Sequence, residues 1–247
     1  MKNIFLVILI STITFNDIYC QRTFEGRVES YNQGNADIAT GMVEPIVIGS
    51  INSKGEFSIP LDDNYIIQLK ETISKENADN DQWSTKLMTL DRAFGNCGNG
   101  AVTIENGDQP IIKLSTFSSY SIVNLEEKEI LGYMMLVSSE KFAKSLNNFE
   151  HGNDQTGYFV DWYYFEKPAK VKGSCEVKTY TLTQKEEDVY EATTTYDMDI
   201  KPGWNLVKYS NDDLHIDSQG KKYVKHKSYT TLNEMPKGVK FIYSAGE

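Results

Sequence analysis

Positive charge is the first shortage. The 247 residues hold 25 Lys and Arg against 35 Asp and Glu, a formal net charge of -10. A chain with no cationic surplus cannot neutralise a run of phosphates, which argues against nucleic acid or an anionic membrane as its main partner. Histidine is scarce too: His151, His215 and His226 fall in unrelated segments, so solvated surface groups are expected, and their spacing predicts no metal site. The sequence has no Gly-x-Ser-x-Gly elbow, no His-Glu-x-x-His, no phosphate-binding glycine loop and no EF-hand loop. It has no Asn-x-Ser/Thr sequon, which fits a bacterial chain better than a glycosylated eukaryotic one. Past the N-terminus no apolar run approaches the ~18 residues of a spanning helix, so no membrane span is expected.

What is present begins with an export signal. Met1-Lys2-Asn3 carries one positive charge, and Ile4 to Ile10 is an apolar run too short to anchor in a bilayer. We expect a signal peptide over 1–20 and a secreted, periplasmic or cell-surface chain. Cleavage after Cys20 is favoured over its lipidation, because the bulky Tyr19 precedes it where a lipobox needs a small residue. Cys97 and Cys175 then remain, an even pair in an exported chain, and a single disulfide between them is the default. Neither has a CxxC partner or a nearby histidine to suggest a reactive thiol or a metal ligand.

The fold class follows from alternation. Phe24, Gly26 and Val28 begin a strand pattern, and Ile46 and Ile48 share one face of another. Asn52-Ser-Lys-Gly55 reads as a turn with Gly55 at positive φ, and Phe57, Ile59 and Leu61 alternate with polar residues after it. Asp62-Asp-Asn is a second expected turn, leading into a strand at Tyr65; the polar stretch from Glu71 to Asp81 reads as a loop. Trp83, Leu87, Leu90 and Phe94 recur at helical spacing, with Asp81 available as a cap. Short strands fill most of the second half, punctuated by Pro and Gly, with a short helix or a long loop expected around Phe142, Leu146 and Phe149, which recur at helical spacing. The expectation is a mainly β, sandwich-type chain with one or two short helices. A soft boundary near residue 115 separates 22–115 from a second β-rich domain over 116–247.

Two resemblances attach to these residues. The strand with Gly26 and Val28, the turn with Gly55 and Phe57, and Tyr65 beyond it resemble the carboxypeptidase regulatory-like, or transthyretin-like, domain. The segment from Asn32 to Met42 is longer and more polar than is usual there. That resemblance implies a binding or structural sandwich without catalytic residues. Gly173 and Cys175, then Ile200 and Gly203-Trp204-Asn205-Leu206-Val207, resemble a group of uncharacterised secreted bacterial proteins, with Cys97 as their upstream cysteine. No activity comes with that likeness.

Candidate chemistry is sparse. Tyr158 to Lys167 is aromatic on both faces. By alternation Phe159, Asp161, Tyr163 and Phe165 point one way and Val160, Trp162 and Tyr164 the other. Such a strand belongs at the centre of a core; where one face is open, Trp162, Tyr163 and Tyr164 are candidates for stacking on a ligand. Trp204, after the Pro202-Gly203 turn, reads as a core plug between sheets beside a disulfide cysteine. Asp79 with Asp81, and Asn211 to Asp213, offer oxygens to calcium, but loop capping explains both runs, and no metal ligand, cofactor or catalytic residue is assigned. The function expected is a non-enzymatic binding or structural module for an extracellular glycan or protein. A glycosidase-type hydrolase using paired carboxylates is the alternative.

Overall fold

The computed structural model describes residues 22–41, 45–79, 82, 84–147 and 154–246. The expected leader lies outside them, as do Asp81, Trp83, Phe149 and His151. The chain runs β1 (Arg22–Arg27), β2 (Ala36–Thr40), β3 (Ile46–Ile51), β4 (Glu56–Leu61), α1 (Asn64–Ala78), α2 (Leu90–Phe94), β5 (Asn99–Glu105), β6 (Ile112–Lys113), β7 (Tyr120–Asn124) and β8 (Glu129–Val137). It continues through α3 (Glu140–Asn147), β9 (Gly157–Phe165), β10 (Ala169–Thr179), β11 (Tyr190–Ile200), β12 (Gly203–Ile216), β13 (Lys222–Leu232) and β14 (Lys240–Ala245). The fold is mainly β and of sandwich type, as the alternating patterns predict.

The strands join in one hydrogen-bonded path, β1-β4-β3-β2-β7-β8-β9-β12-β13-β11-β10-β5, with β14 added on β8 and β6 on β9. Neighbours along it are antiparallel except β11 and β13. The boundary expected near residue 115 falls between β6 and β7, and three pairings cross it: β2 with β7, β6 with β9, and β5 with β10.

Gly55 takes φ 78°, and a Cβ there would meet the Val28 carbonyl oxygen at 2.2 Å. The Asn52 side chain closes that turn by accepting from the Lys54 and Glu56 amides. This is the geometry its sequence suggests.

The helices correct three expectations. Tyr65 does not lead a strand, and Glu71 to Ala78 is not loop: both belong to the 15-residue α1. Tyr65 and Ile66 are buried and Leu69 packs behind them, so these three serve one face of a helix, while Ile67 is exposed. The third is the helix expected over Trp83 to Phe94, of which, among the described residues, only Leu90–Phe94 is helical, capped by the Thr89 hydroxyl accepting from the Arg92 amide. The residues before it pair with backbone instead: Ile111 N donates to Met88 O and Leu90 N to Gln109 O. Tertiary pairing has overridden a helical period there.

Two apolar cores lie on opposite faces of β9 and β12. Val160 and Leu206 point into the first core, with Phe24, Ile38, Ile59, Tyr120, Ile122 and Met134. Tyr163, Phe165 and Val207 point into the second, with Leu90 and Phe94 of α2, Val171 of β10, and Met198 and Ile200 of β11. These two strands are therefore the wall between both cores, which is why the Tyr158–Lys167 stretch is aromatic on both sides. The Cys97 and Cys175 sulfurs stand at disulfide distance, with 5.4 Å between Cα atoms, and tie the chain after α2 to β10.

Trp204 needs a correction. It is half-buried, stacked on Tyr65 at 6.2 Å and edge-on to Tyr164 at 5.4 Å, with Nε1 donating to Asp62 O. It pegs the start of α1 to the sheet rather than plugging a gap beside the disulfide, since β13 and β11 separate its strand from that of Cys175.

Candidate functional site

The face of β9 that carries Phe159, Asp161, Tyr163 and Phe165 continues in register across the sheet. Tyr163 lies opposite Asn205, and Phe159 opposite Tyr209. Tyr209 lies opposite Tyr229, and Tyr229 opposite Tyr196. Four adjacent strands thus present one aromatic row, Phe159-Tyr209-Tyr229-Tyr196, with ring centroids 5.0, 5.1 and 5.7 Å apart. Gly173 faces Tyr196 across β10, so the row's last ring lies over a position with no side chain of its own. Burial pushes the Tyr209 phenol up to about 12 and raises Tyr229 further, so both stay protonated at neutral pH.

Helix α2 covers one end of this face. Phe94 makes edge contacts with Tyr196 and Tyr229, each at 5.4 Å. Beside it opens a groove of about 510 Å³, with Tyr163 and Tyr229 toward the sheet and Tyr65, Met88, Phe94 and Phe117 among its walls. Its volume is in the range of small-molecule sites. Among the described lining residues only Lys113 is charged, and its Nζ lies 5.0 Å from the centroid of the Tyr163 ring. A larger trough of about 740 Å³ is lined by Asp37, Glu56 and Glu126 together with Ile51, Val123 and Leu125, and its lining is less apolar than that of the groove.

The rim is unusual at Phe117, which is 82% exposed. Thr116 and Ser119 exchange backbone hydrogen bonds of 2.9 and 3.0 Å, closing a two-residue turn. Its central residues Phe117 and Ser118 have φ of 49° and 66°. Such a turn ordinarily takes Asn-Gly or another glycine pair, because each left-handed residue with a Cβ costs roughly 1–2 kcal/mol. A bulky ring held outward at that cost is an outlier of the kind that accumulates at binding surfaces.

Under the groove lies Asp161, only 2% exposed. Its carboxylate accepts from Ser115 Oγ at 2.7 Å, Tyr120 OH at 2.9 Å and its neighbour's Trp162 N at 2.8 Å. Burial raises the carboxyl above the usual range, and the Ser115 and Tyr120 donors and the Lys113 charge offset part of that. Asp161 joins the groove wall at Ser115 to Tyr120 of the first core, and its oxygens are taken by donors. The same holds at the far end of the sheet. There Asp188 is held below its ordinary value mainly by the Thr183 hydroxyl, and Ser218 also donates to it through N and Oγ.

The three stacking candidates are not brought together. The pleat sends Trp162 and Tyr164 toward the first core, where both are half-buried, and Tyr163 to the other face, where it is buried against the groove. Of the histidines, His215 is not a solvated surface group. Its ring stacks on Tyr190 at 4.4 Å, and its buried Nε2 has no hydrogen-bond partner. His226 Nε2 lies 3.2 Å from Thr195 Oγ1. Asp79 ends α1, Asn211 is buried and Asp213 pairs with Lys225, each in a structural role. Among the described residues no three His, Cys, Asp or Glu side chains gather as a metal site.

The groove residues Tyr65, Met88, Phe117 and Tyr229 come from four separate segments. The sequence singles out Tyr65, as a strand residue, whereas Met88, Tyr229 and Phe117, a lone ring in Ser-Thr-Phe-Ser-Ser, are not marked by any motif. No protein-family model matches the chain, and no curated protein or solved structure matches it either.

Proposed function

We propose that the chain is an exported, non-enzymatic binding module, and that the groove between α2 and the 111–117 segment holds its ligand. The ligand class is an apolar group, aromatic or aliphatic, with an anionic or hydrogen-bond-accepting end toward Lys113. The observation that carries this reading is Phe117, held outward at a strained turn on the rim of the groove. The resemblance of the N-terminal strands to the transthyretin-like domain, a family without catalytic residues of its own, favours the same reading through Gly26, Val28, Gly55 and Phe57, though not through Tyr65, which lies in α1. A binding role also suits the carboxylate Asp161, whose oxygens are engaged by donors rather than turned toward the groove.

Anilinonaphthalene sulfonate, an aromatic anion that fluoresces on leaving water, is a suitable probe. It is expected to bind saturably at one site, and Phe117→Ser is expected to weaken it roughly fivefold, about 1 kcal/mol, without moving the thermal midpoint. Phe117 is exposed, so its loss does not threaten the fold. Absence of saturable binding, or equal affinity in the variant, contradicts the assignment.

A further inference from the structure

The two ends of the sheet are not alike. At one end β1 carries the exposed charges Glu25 and Arg27, and Phe241 of β14 lies against its Gly26. Charge and cover of this kind keep an edge from pairing with another chain. At the other end β5 carries a single charged residue, Glu105. The strand pairs with β10 in unbroken register from Asn99 to Glu105 and, among the described residues, no further strand follows it in the sheet. It contains no proline and no lysine, and its one acid, Glu105, is paired with Lys170 at 3.1 Å. Gly100, at φ 97°, bends the strand near its start and leaves Ala101 to Glu105 as the regular part.

That five-residue stretch is complementary to itself. In an antiparallel pair with a two-fold axis at Thr103, Val102 faces Ile104 of the second copy, twice over, and Thr103 faces Thr103. Ala101 faces Glu105, so no like charges oppose. Val102 and Ile104 are half-buried against the second core, so their meeting would extend one apolar stripe across both copies. β-Branched cross-strand pairs and paired threonines are among the favourable combinations in antiparallel sheets. We propose that β5 is a homodimer edge, through which two copies of this chain join their sheets about a two-fold axis. The inference is independent of the groove.

One strand pair buries less surface than a standard stable interface. Dimerisation is therefore expected to depend on concentration, with the mass doubling between about 1 and about 200 µM. Light scattering after size exclusion on the full exported chain reads this. Thr103→Glu is the variant of choice: it puts two carboxylates opposite each other in the dimer but opposite Lys172 within one chain. It should stay monomeric with an unchanged thermal midpoint. Thr103→Cys supplies an independent readout, since directly opposed Cα atoms lie about 4.5–5.5 Å apart, within disulfide reach. Oxidation should link two copies through that residue, while Ala101→Cys should not link to itself. A wild-type chain that stays monomeric over this range overturns the proposal. So does a dimer that Thr103→Glu leaves intact, which would lie on another surface, and so does failure of the Thr103→Cys cross-link.

Discussion

Asp161→Ala is expected to destabilise the chain by about 2 to 5 kcal/mol, whereas Asp161→Asn should stay within about 1 kcal/mol of the parent. Alanine strands the Ser115 and Tyr120 hydroxyls, both on buried residues, at roughly 1–3 kcal/mol each. Asparagine keeps an oxygen to accept from Tyr120 OH and Trp162 N, and its amide can donate to Ser115 Oγ, which is able to accept. The comparison acquires a pH dependence from the raised carboxyl of Asp161. The folded chain holds this proton to a higher pH than the unfolded chain, whose value is about 3.9. The contribution of Asp161 to stability is thus complete below the unfolded value and lost as pH rises through the folded one. Urea unfolding at a series of pH values should show Asp161→Asn gaining on the parent as pH climbs from about 4, then levelling off. A gap that is flat with pH would mean that the donors balance the cost of burial, and one that closes on raising pH that they outweigh it; either contradicts a raised carboxyl.

Loss of the cross-link is the second large effect. Cys97 and Cys175 are 78 residues apart, and closing a loop of that length removes about 4 to 5 kcal/mol of chain entropy from the unfolded state in the simplest treatment. The double variant Cys97→Ser with Cys175→Ser should therefore lose about 2 to 5 kcal/mol, read as a lower urea midpoint with a slope equal to or steeper than the parent's, because the unlinked unfolded chain is less compact. Its far-ultraviolet dichroism should persist, because β5 still pairs with β10 along its whole length. A variant within about 1 kcal/mol of the parent would show that this strand pairing already restricts the loop in the unfolded chain.

The contrast between what alternation revealed and what it hid has a physical cause. Strands β3, β4 and β9 bury one or both faces at a period of two, so Ile46 with Ile48, Phe57 with Ile59, and the rings of Tyr158 to Phe165 mark them directly. Helix α1 also left a trace, Tyr65 with Leu69 at i and i+4, but a turn signal just before Tyr65 and a long polar exposed face made it resemble strand and loop. The segment before α2 failed in the opposite sense: its helical period is real, yet Met88 and Leu90 spend their backbone groups on Ile111 and Gln109. The groove was the least legible part. Its rings are brought together by sheet order, and the pleat separates Tyr163 from the neighbours with which it forms a run in sequence. Phe117 sits at a Phe-Ser turn that no turn preference would nominate.

On the proposed function, ligand enters the groove walled by Met88, Phe94, Phe117 and Tyr229. Methionine methyls report on it, because Met88 is 52% exposed at the groove while Met134 and Met135 are enclosed in the cores. In a carbon–proton correlation spectrum of methyl-labelled protein titrated with anilinonaphthalene sulfonate, the Met88 signal should move progressively to saturation and those of Met134 and Met135 should stay in place. Movement of the enclosed methyls with Met88 unmoved would put the ligand elsewhere and contradict the account.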